Sequence, residues 1–387
     1  MRPYRIDLYS KDFVKETVFT SPHFRIRNYM SLLNNAGKAL LEIFIGSPIA
    51  KKSNFQKYKR IKILRFNESE QKYIPKWSGY IESVIELDDV FQLGCIEIVG
   101  LFKKRLTNAD RAMTGNGGTE AFNLLSYTNG INDTAISQGS TDYTKAVDIK
   151  ADYTPIVQVW RDIAKQEPGE FYIDPDTNEL HFLKKVGTDK SSEITLKYRQ
   201  GEVGNNLEFV KIAEEGKHIV NKVTGVAKKS DGTKFVSIKE DPTSQTKYGV
   251  LEAQKYFDEA ESQAQLDELT QAHLDLFKEE IDNPEIKVAQ KRTVTNIAGE
   301  SKDIGIDLDS LHLGDTVTTN YKTDYNTFTA LRRIMEYRVN FNDTGNEDIS
   351  LKLIEPDQSL EILNVNESTE SSERFEDLEN AFMKRTY

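Results

Sequence analysis

Four short stretches carry residue types whose spacing could do chemistry. Ser244-Gln-Thr-Lys247 has the serine and lysine spacing of penicillin-binding enzymes, in which the lysine would activate the serine, but the Ser-Asp-Asn and Lys-Thr-Gly partners of such a site are missing. Asp174-Pro-Asp-Thr-Asn178 begins like a calcium loop, with carboxylates at alternate positions. Glu179 stands where that loop needs glycine and Lys185 where it needs a bidentate acid, so a hairpin turn is expected. Gly115-Asn-Gly-Gly118 is glycine-rich, but it lacks the lysine of a phosphate loop and follows no clear strand; a turn is expected there too. Lys51, Lys52, Lys57, Lys59, Arg60 and Lys62, interleaved with Phe55 and Tyr58, could track a phosphate backbone, although a solvated strand face or a protein contact suits an acidic chain better.

Beyond these the chemistry is sparse. The five histidines, His23, His181, His218, His273 and His312, show no His-x-x-x-His or His-Glu-x-x-His spacing, and no Gly-x-Ser-x-Gly nucleophile elbow occurs. With 62 carboxylates the chain always offers acid pairs, so their presence signals nothing about glycoside cleavage. Cys95, the single cysteine, can form no internal disulfide and reads as a small buried strand residue. No catalytic, cofactor-binding or metal-binding residue is expected. A net charge of −11 repels phosphate and disfavours nucleic-acid binding. Met1 to Tyr9 has no apolar signal region, and no run approaches the ~18 apolar residues of a membrane span, so a soluble chain without a membrane anchor is expected. The Asn-x-Ser/Thr matches at Asn67, Asn132, Asn342 and Asn366 are then chance occurrences.

The elements that must hold these residues are mostly strands. A length of 387 residues with 38% hydrophobic residues predicts two or three domains with much wet surface. From Tyr4 to about Arg105, short apolar or alternating runs at Leu40–Ile45, Arg60–Phe66, Trp77–Ile81 and Cys95–Val99 suggest a barrel or sandwich, with Ile61 and Ile63 inward and Lys62 outward. The stretch that follows reads as α+β: a helix at Glu120–Tyr127, an exposed loop at Asn129–Asp142, a helix at Pro155–Gln166 and a hairpin at Phe171–Phe182. From Leu196 strands return, at His218–Val226 and Lys234–Ile238 around Asp231-Gly232, then at Ile286–Ile297, Ile304–Leu308, Arg332–Phe341 and Ile349–Ile354, with a turn at Asn342–Gly345. Leu251–Ile281 is the longest helical pattern; a capping box at Ser262 could restart it, Asn283-Pro284 stops it, and Tyr256, Phe257, Ala260, Leu269, Leu276 and Phe277 are expected to face protein. After Pro356 an acidic linker precedes a short amphipathic pattern at Phe375–Met383.

The order of these pieces, with several local patterns, resembles the baseplate or tail-tip hub proteins of long-tailed bacteriophages. The patterns are Trp77-Ser-Gly-Tyr-Ile81 with Cys95–Arg105, the hairpin Phe171–Phe182, and a third set running from Asn221–Val226 through Tyr248-Gly249 and Leu311–Val317 to Arg333–Val339 and Glu347–Leu353. The resemblance covers roughly Ile6 to Ile354 and implies a mainly β fold, α+β overall. It implies two tail-tube-like antiparallel β-barrel domains, residues 1–105 and 196–355, the second with a helical insertion at about 249–283. A small α+β domain at 106–195 lies between them, and an acidic tail occupies 356–387.

The same resemblance implies a non-enzymatic structural subunit of the virion, made in the host cytoplasm. Three copies would form a homotrimeric ring of pseudo-sixfold symmetry that adapts the hexameric tail tube to the tip and lines the DNA exit channel. Its partners would be further copies of itself, distal tail and tail-tube proteins, and a spike, fibre or tip protein. Viral DNA would pass the lumen without specific binding, past an acidic or neutral wall. The chain departs from many relatives by ending about thirty residues after the second barrel, so host recognition and wall cutting are expected on a separate chain. The competing readings are another β-rich virion component and a cell-wall hydrolase or carbohydrate-binding tail-tip module, which would need a deep pocket of convergent polar groups.

Overall fold

The computed structural model describes residues 4–356 apart from 48–49, 68–69, 167–168, 200–204, 216–218, 229–232, 258–259, 261, 280, 290–291, 296–300, 305, 307, 323–326 and 343–346. The chain divides into two compact units: Met1–Val210 with Ile286–Tyr387, and Lys211–Glu285. The expected turns at Asp231-Gly232 and Asn342–Gly345, His218 and the acidic tail lie outside the described residues, the first residue of the second turn and Pro356 excepted.

The first unit opens with β1 (Tyr4–Tyr9), β2 (Lys15–Thr20), β3 (Phe24–Leu32), β4 (Lys38–Phe44), β5 (Arg60–Asn67), β6 (Lys72–Glu86) and β7 (Val90–Glu97). They pair antiparallel in the order β2-β1-β5-β6-β7-β4-β3. Period-two alternation sends Ile6, Leu8, Leu41, Ile43, Ile61, Ile63, Trp77 and Leu93 into one core. A 3-10 turn, Ile98–Lys104, replaces the end of the expected Cys95–Val99 strand. It leads into β8 (Arg111–Asn116), α1 (Gly117–Ile131), β9 (Ser137–Thr141), β10 (Ala146–Ala151), α2 (Ile156–Gln166), β11 (Glu170–Ile173) and β12 (Glu179–Leu183). These elements surround their own core of Trp160, Phe102, Tyr143, Phe171 and Phe182. The segment expected to be a loop at Asn129–Asp142 instead completes α1 and forms β9, which pairs parallel with β12.

The chain returns to the large sheet with β13 (Thr195–Arg199) and β14 (Leu207–Glu215). The second unit then holds β15 (Lys222–Lys228), β16 (Lys234–Glu240), α3 (Pro242–Tyr248), β17 (Glu252–Tyr256) and α4 (Gln263–Phe277). Last come β18 (Ile281–Val288), β19 (Arg292–Thr295), β20 (Ser301–Ile304), β21 (Thr316–Lys322), β22 (Thr327–Phe341) and β23 (Glu347–Ile354). Among the described residues the large sheet has 13 strands and continues β3-β22-β23-β18-β14, with β21 and β13 following from β22. Strand β13 meets the residue just before β14 where Asn206 N donates to Lys197 O at 3.0 Å and Lys197 N to Asn206 Oδ1 at 2.6 Å.

The two halves of this sheet repeat one plan. Strands β6 and β22 each span 15 residues. The ladder with the preceding strand reaches Arg60↔Tyr80 in one and Thr316↔Arg333 in the other. The ladder with the following strand then skips one residue at the same place, between Ile81 and Ser83 and between Ile334 and Glu336. Such a bulge bends its strand locally, so both long strands turn at the same position.

The second unit corrects the helix expected over Leu251–Ile281. Residues Glu252–Tyr256 form a strand parallel to β15, and among the described residues of this stretch the helix is Gln263–Phe277. Gly249, at φ 80°, ends α3 and turns the chain into β17. Ser262 caps α4 by accepting from Gln265 N at 3.2 Å, as its sequence indicates. Phe257 and Ala260 are buried with Leu266 and Ala227, whereas Tyr256 is 64% exposed rather than facing protein.

Candidate functional site

The side chains that fix the geometry of the first unit meet at the turn between β3 and β4. Asn34 lies there at φ 56°, a left-handed conformation that asparagine tolerates better than most residues. Its N–H donates to Phe171 O at 3.2 Å, its Oδ1 accepts from Phe171 N at 2.6 Å, and its Nδ2 donates to Gly169 O at 3.1 Å. Arg161 of α2 donates through Nε to Asn34 O at 3.0 Å. One asparagine thus stands beside β11 as a strand would. Next to it, Leu33 packs with Val186, Met335 and Ile354, so the turn touches the middle elements and β22 together.

Three turn residues later, Gly37 N donates to Glu97 Oε2 at 2.7 Å and Ser31 Oγ to Oε1 at 2.8 Å. A Cβ at Gly37 would lie 1.8 Å from Met30 O, so only glycine fits. Glu97 is half-buried as a residue, with its carboxyl as the enclosed part; burial pushes that carboxyl up to about 7, against the opposing pull of the Gly37, Ser31 and Leu32 bonds.

Three ionic clusters tie the second half to the rest. Arg333 of β22 and Glu170 of β11 are both buried, and the guanidinium makes a bidentate contact with the carboxylate. Arg65 of β5 is likewise buried, donating to Asp309 Oδ1 and Glu347 Oε2 at 3.0 Å each. Burial opposes its charge, but Tyr4, Glu347 and Asp309 outweigh that and hold its pKa above the ordinary arginine value. Asp315 accepts from Thr188 N at 2.9 Å, His312 N at 2.9 Å and Lys190 Nζ at 2.8 Å. Burial alone would raise this carboxyl, yet the hydrogen bonds from His312, Lys190 and Thr188 hold it well below the usual carboxylate range.

The sequence candidates are absorbed into this framework. Lys62 is buried, not solvated, because the Asp174–Asn178 turn covers it; its Nζ donates to Asp176 O at 3.0 Å. Two separate motifs, one read as calcium-like and one as phosphate-tracking, therefore meet as a contact between β5 and the β11–β12 hairpin. Asp174 Oδ1 is occupied by Asp176 N at 2.7 Å and Thr177 N at 3.1 Å, which makes the turn. Arg60 donates to Lys11 O and lies 5.3 Å from the Phe13 ring, while Lys52 pairs with Glu86 and Lys59 with Glu16, each at 2.6 Å. The glycine-rich stretch does follow a strand, β8, and opens α1, but the helix N–H groups are spoken for. Gly117 N donates to Lys145 O, Gly118 N to Tyr143 O, and Thr119 N to the Asn116 cap. In the second unit Ser244 Oγ donates to Lys278 O, and Lys247 pairs with Glu279, so the serine and lysine do not act on each other. Cys95 is buried in β7, and burial raises its thiol well above the ordinary range.

A grouping that sequence reasoning missed is Ser140, His181 and Glu179. Ser140 Oγ lies 2.8 Å from His181 Nδ1, and Gly139 lets the ring approach, since a Cβ there would be 2.7 Å from it. A serine hydrolase needs the histidine free to take the hydroxyl proton and oriented by an acid. Here Ser140 N shares Nδ1 at 3.1 Å, and Glu179 stands 3.8 Å from Nε2, beyond hydrogen-bond reach. Its members come from β9 and β12, whose parallel pairing leaves no spacing signal in the sequence. Among the described residues no three of His, Cys, Asp or Glu are grouped to hold a metal ion, and no helix is long and apolar enough to cross a membrane.

No family model and no curated protein matches the sequence. Solved structures do match the fold. A tail protein from Neisseria meningitidis is 14% identical with a TM-score of 0.62, over 92% of this chain and 99% of that one. A tail protein of prophage MuSo2 from Shewanella oneidensis is 10% identical with a TM-score of 0.59, over 92% and 99%. The prophage tail protein gp18 from Listeria monocytogenes is 9% identical with a TM-score of 0.54, over 90% and 94%. Along nearly its whole length, therefore, this chain has the fold of phage tail proteins.

Proposed function

We propose that this chain is a non-enzymatic structural subunit of a phage tail, a baseplate or tail-tip hub whose three copies form a ring. The ring adapts the hexameric tail tube to the tip and lines the channel through which DNA leaves. The observation that carries this reading is the repeated plan of the large sheet, set in a fold shared with tail proteins. A chain with two like halves gives three copies six like positions, the number a hexameric tube presents. The net charge of −11 suits a channel wall that DNA must pass without adhering. On this reading its neighbours are further copies, distal tail and tail-tube proteins on one side, and a spike, fibre or tip protein on the other.

Among the described residues the hydrolase or carbohydrate-binding alternative has Ser140, His181 and Glu179 to offer, and their geometry supports structure better than turnover. Native mass measurement of the purified chain, alone and with neighbouring tail proteins, tests the choice. A ring of three 44.2 kDa chains is expected. A chain that stays monomeric in both conditions and turns over peptidoglycan overturns the reading.

A further inference from the structure

The small sheet of the second unit runs in the order β16-β15-β17, so among the described residues β16 has no strand on its outer side. Helix α4 lies across one face of this sheet. Gly225 of β15 admits Thr270, Ser237 Oγ of β16 donates to Asp267 Oδ1 at 2.5 Å, and Gln263 Nε2 donates to Val236 O at 3.1 Å. The ladder tells which backbone groups of β16 point outwards. Val226 O accepts from Phe257 N at 2.9 Å, so Val226 turns its backbone towards β17, and Val236 opposite it turns away from β15. Opposite residues of an antiparallel pair exchange both bonds or neither, in alternation, so Ile238 points outwards as well. With Val236 O taken by Gln263, the Val236 N–H and both backbone groups of Ile238 face the open edge.

That edge borders an open groove of about 440 Å³, lined by Lys239 of β16 and by Asp267, Glu268, Gln271, Ala272 and Asp275 of α4. Three carboxylates there face one ammonium. Asp267 is bonded to Ser237 and Gln263, and Asp275 pairs with Lys278 at 2.8 Å, whereas Glu268 is exposed and makes no ion pair among the described residues. On the opposite face of the sheet Val236 and Ile238 are 46% and 59% exposed. An open edge bearing apolar groups is a template for another strand. A strand added here sends alternate side chains to the two faces, one set against the carboxylates of α4 and the other beside Val236 and Ile238.

We propose that β16 takes up an extended segment of a partner protein in which cationic and apolar side chains alternate, making a fourth strand of this sheet beneath α4. Main-chain pairing with Val236 and Ile238 supplies affinity, and the two unlike faces select the sequence. Charge complementarity decides the occupant. The groove repels acidic segments, and this chain's own sequence after Pro356 is one of them. The surface lies wholly within the second unit, so the proposal does not depend on the ring.

A fluorescein-labelled peptide of four Lys-Val repeats, titrated into the full-length chain, tests this by anisotropy and hydrogen exchange. Saturable binding at one site per chain is expected, with the Val236 and Ile238 amides gaining protection. A peptide of the same composition with its lysines grouped before its valines should bind about tenfold more weakly, and a Glu-Val peptide should not bind. Glu268→Lys combined with Asp275→Lys should weaken binding of the Lys-Val peptide about tenfold, and Ile238→Thr should weaken it too, with the melting of the chain unchanged in both. Binding that leaves the Val236 and Ile238 amides unprotected, or that is equally tight for the grouped peptide, overturns the strand pairing. No binding, or binding that the charge reversals on α4 do not move, overturns the site. Either failure in a chain that still forms the ring leaves the ring reading standing.

Discussion

Glu170 and Arg333 form a buried bidentate ion pair between β11 and β22, elements 163 residues apart in sequence. The pair is fully furnished: Val186 N donates to Glu170 Oε2 at 2.7 Å, while Arg333 donates to Gly314 O at 3.0 Å and Val186 O at 2.8 Å. Its role is placement, since it pins the middle elements to the second half at one position and register.

Removing one partner should therefore cost more than removing both. Arg333→Met leaves a buried carboxylate unpaired and is expected to destabilise by about 3–5 kcal/mol. Combining it with Glu170→Gln should recover a large part of that loss, because no net charge then stays buried. Urea unfolding of the two single variants and the double variant measures the coupling. Additive losses would mean that the two side chains contribute independently and do not lock the elements.

Glu97 sets the pH response. Burial raises its carboxyl to about 7 in the folded chain, above its ordinary value, so the folded state holds a proton that the unfolded chain has lost. The associated stability is complete below about pH 4.5 and is lost as the pH rises through about 7. Glu97→Gln should remove this slope, matching the natural chain in acid and exceeding it by about 3 kcal/mol at pH 8. Thermal melts at pH 5 and pH 8 decide it; an equal change at both pH values would place the effect outside Glu97 ionisation.

What the sequence reveals follows the range of the contacts. Helix α2 is legible because Pro155 and the stripe of Ile156, Val159, Trp160 and Ile163 are local signals, and the β11–β12 hairpin because Asp174 makes its own turn. Strands β9 and β17 are not legible: each pairs parallel with a strand well removed in sequence, so no turn marks the partner, and β17 is mostly exposed. The amphipathic reading of β5 fails on Lys62 for the same reason, since the residues that bury it are 114 positions away. Glycine contacts are equally silent; Gly225 admits α4 so closely that a Cβ would lie 2.0 Å from Thr270 Oγ1.

Asn34 offers the most local test of the junction. Two separate properties keep it there, its left-handed backbone and its two side-chain hydrogen bonds to β11 and Gly169. Asn34→Gly retains the first and loses the second, leaving Phe171 N and Gly169 O without a protein partner at a site only 7% exposed, and should cost about 2–3 kcal/mol. Asn34→Ala loses both and should cost about 1–2 kcal/mol more, the strain of a Cβ in that conformation. Hydrogen exchange locates the damage, because the Phe171 amide should lose protection in both variants while amides of β5 and β6 keep theirs. If the glycine variant were as stable as the natural chain, with Phe171 still protected, the asparagine side chain would not hold the turn to β11. The junction would then rest on the packing of Leu33 against Val186, Met335 and Ile354.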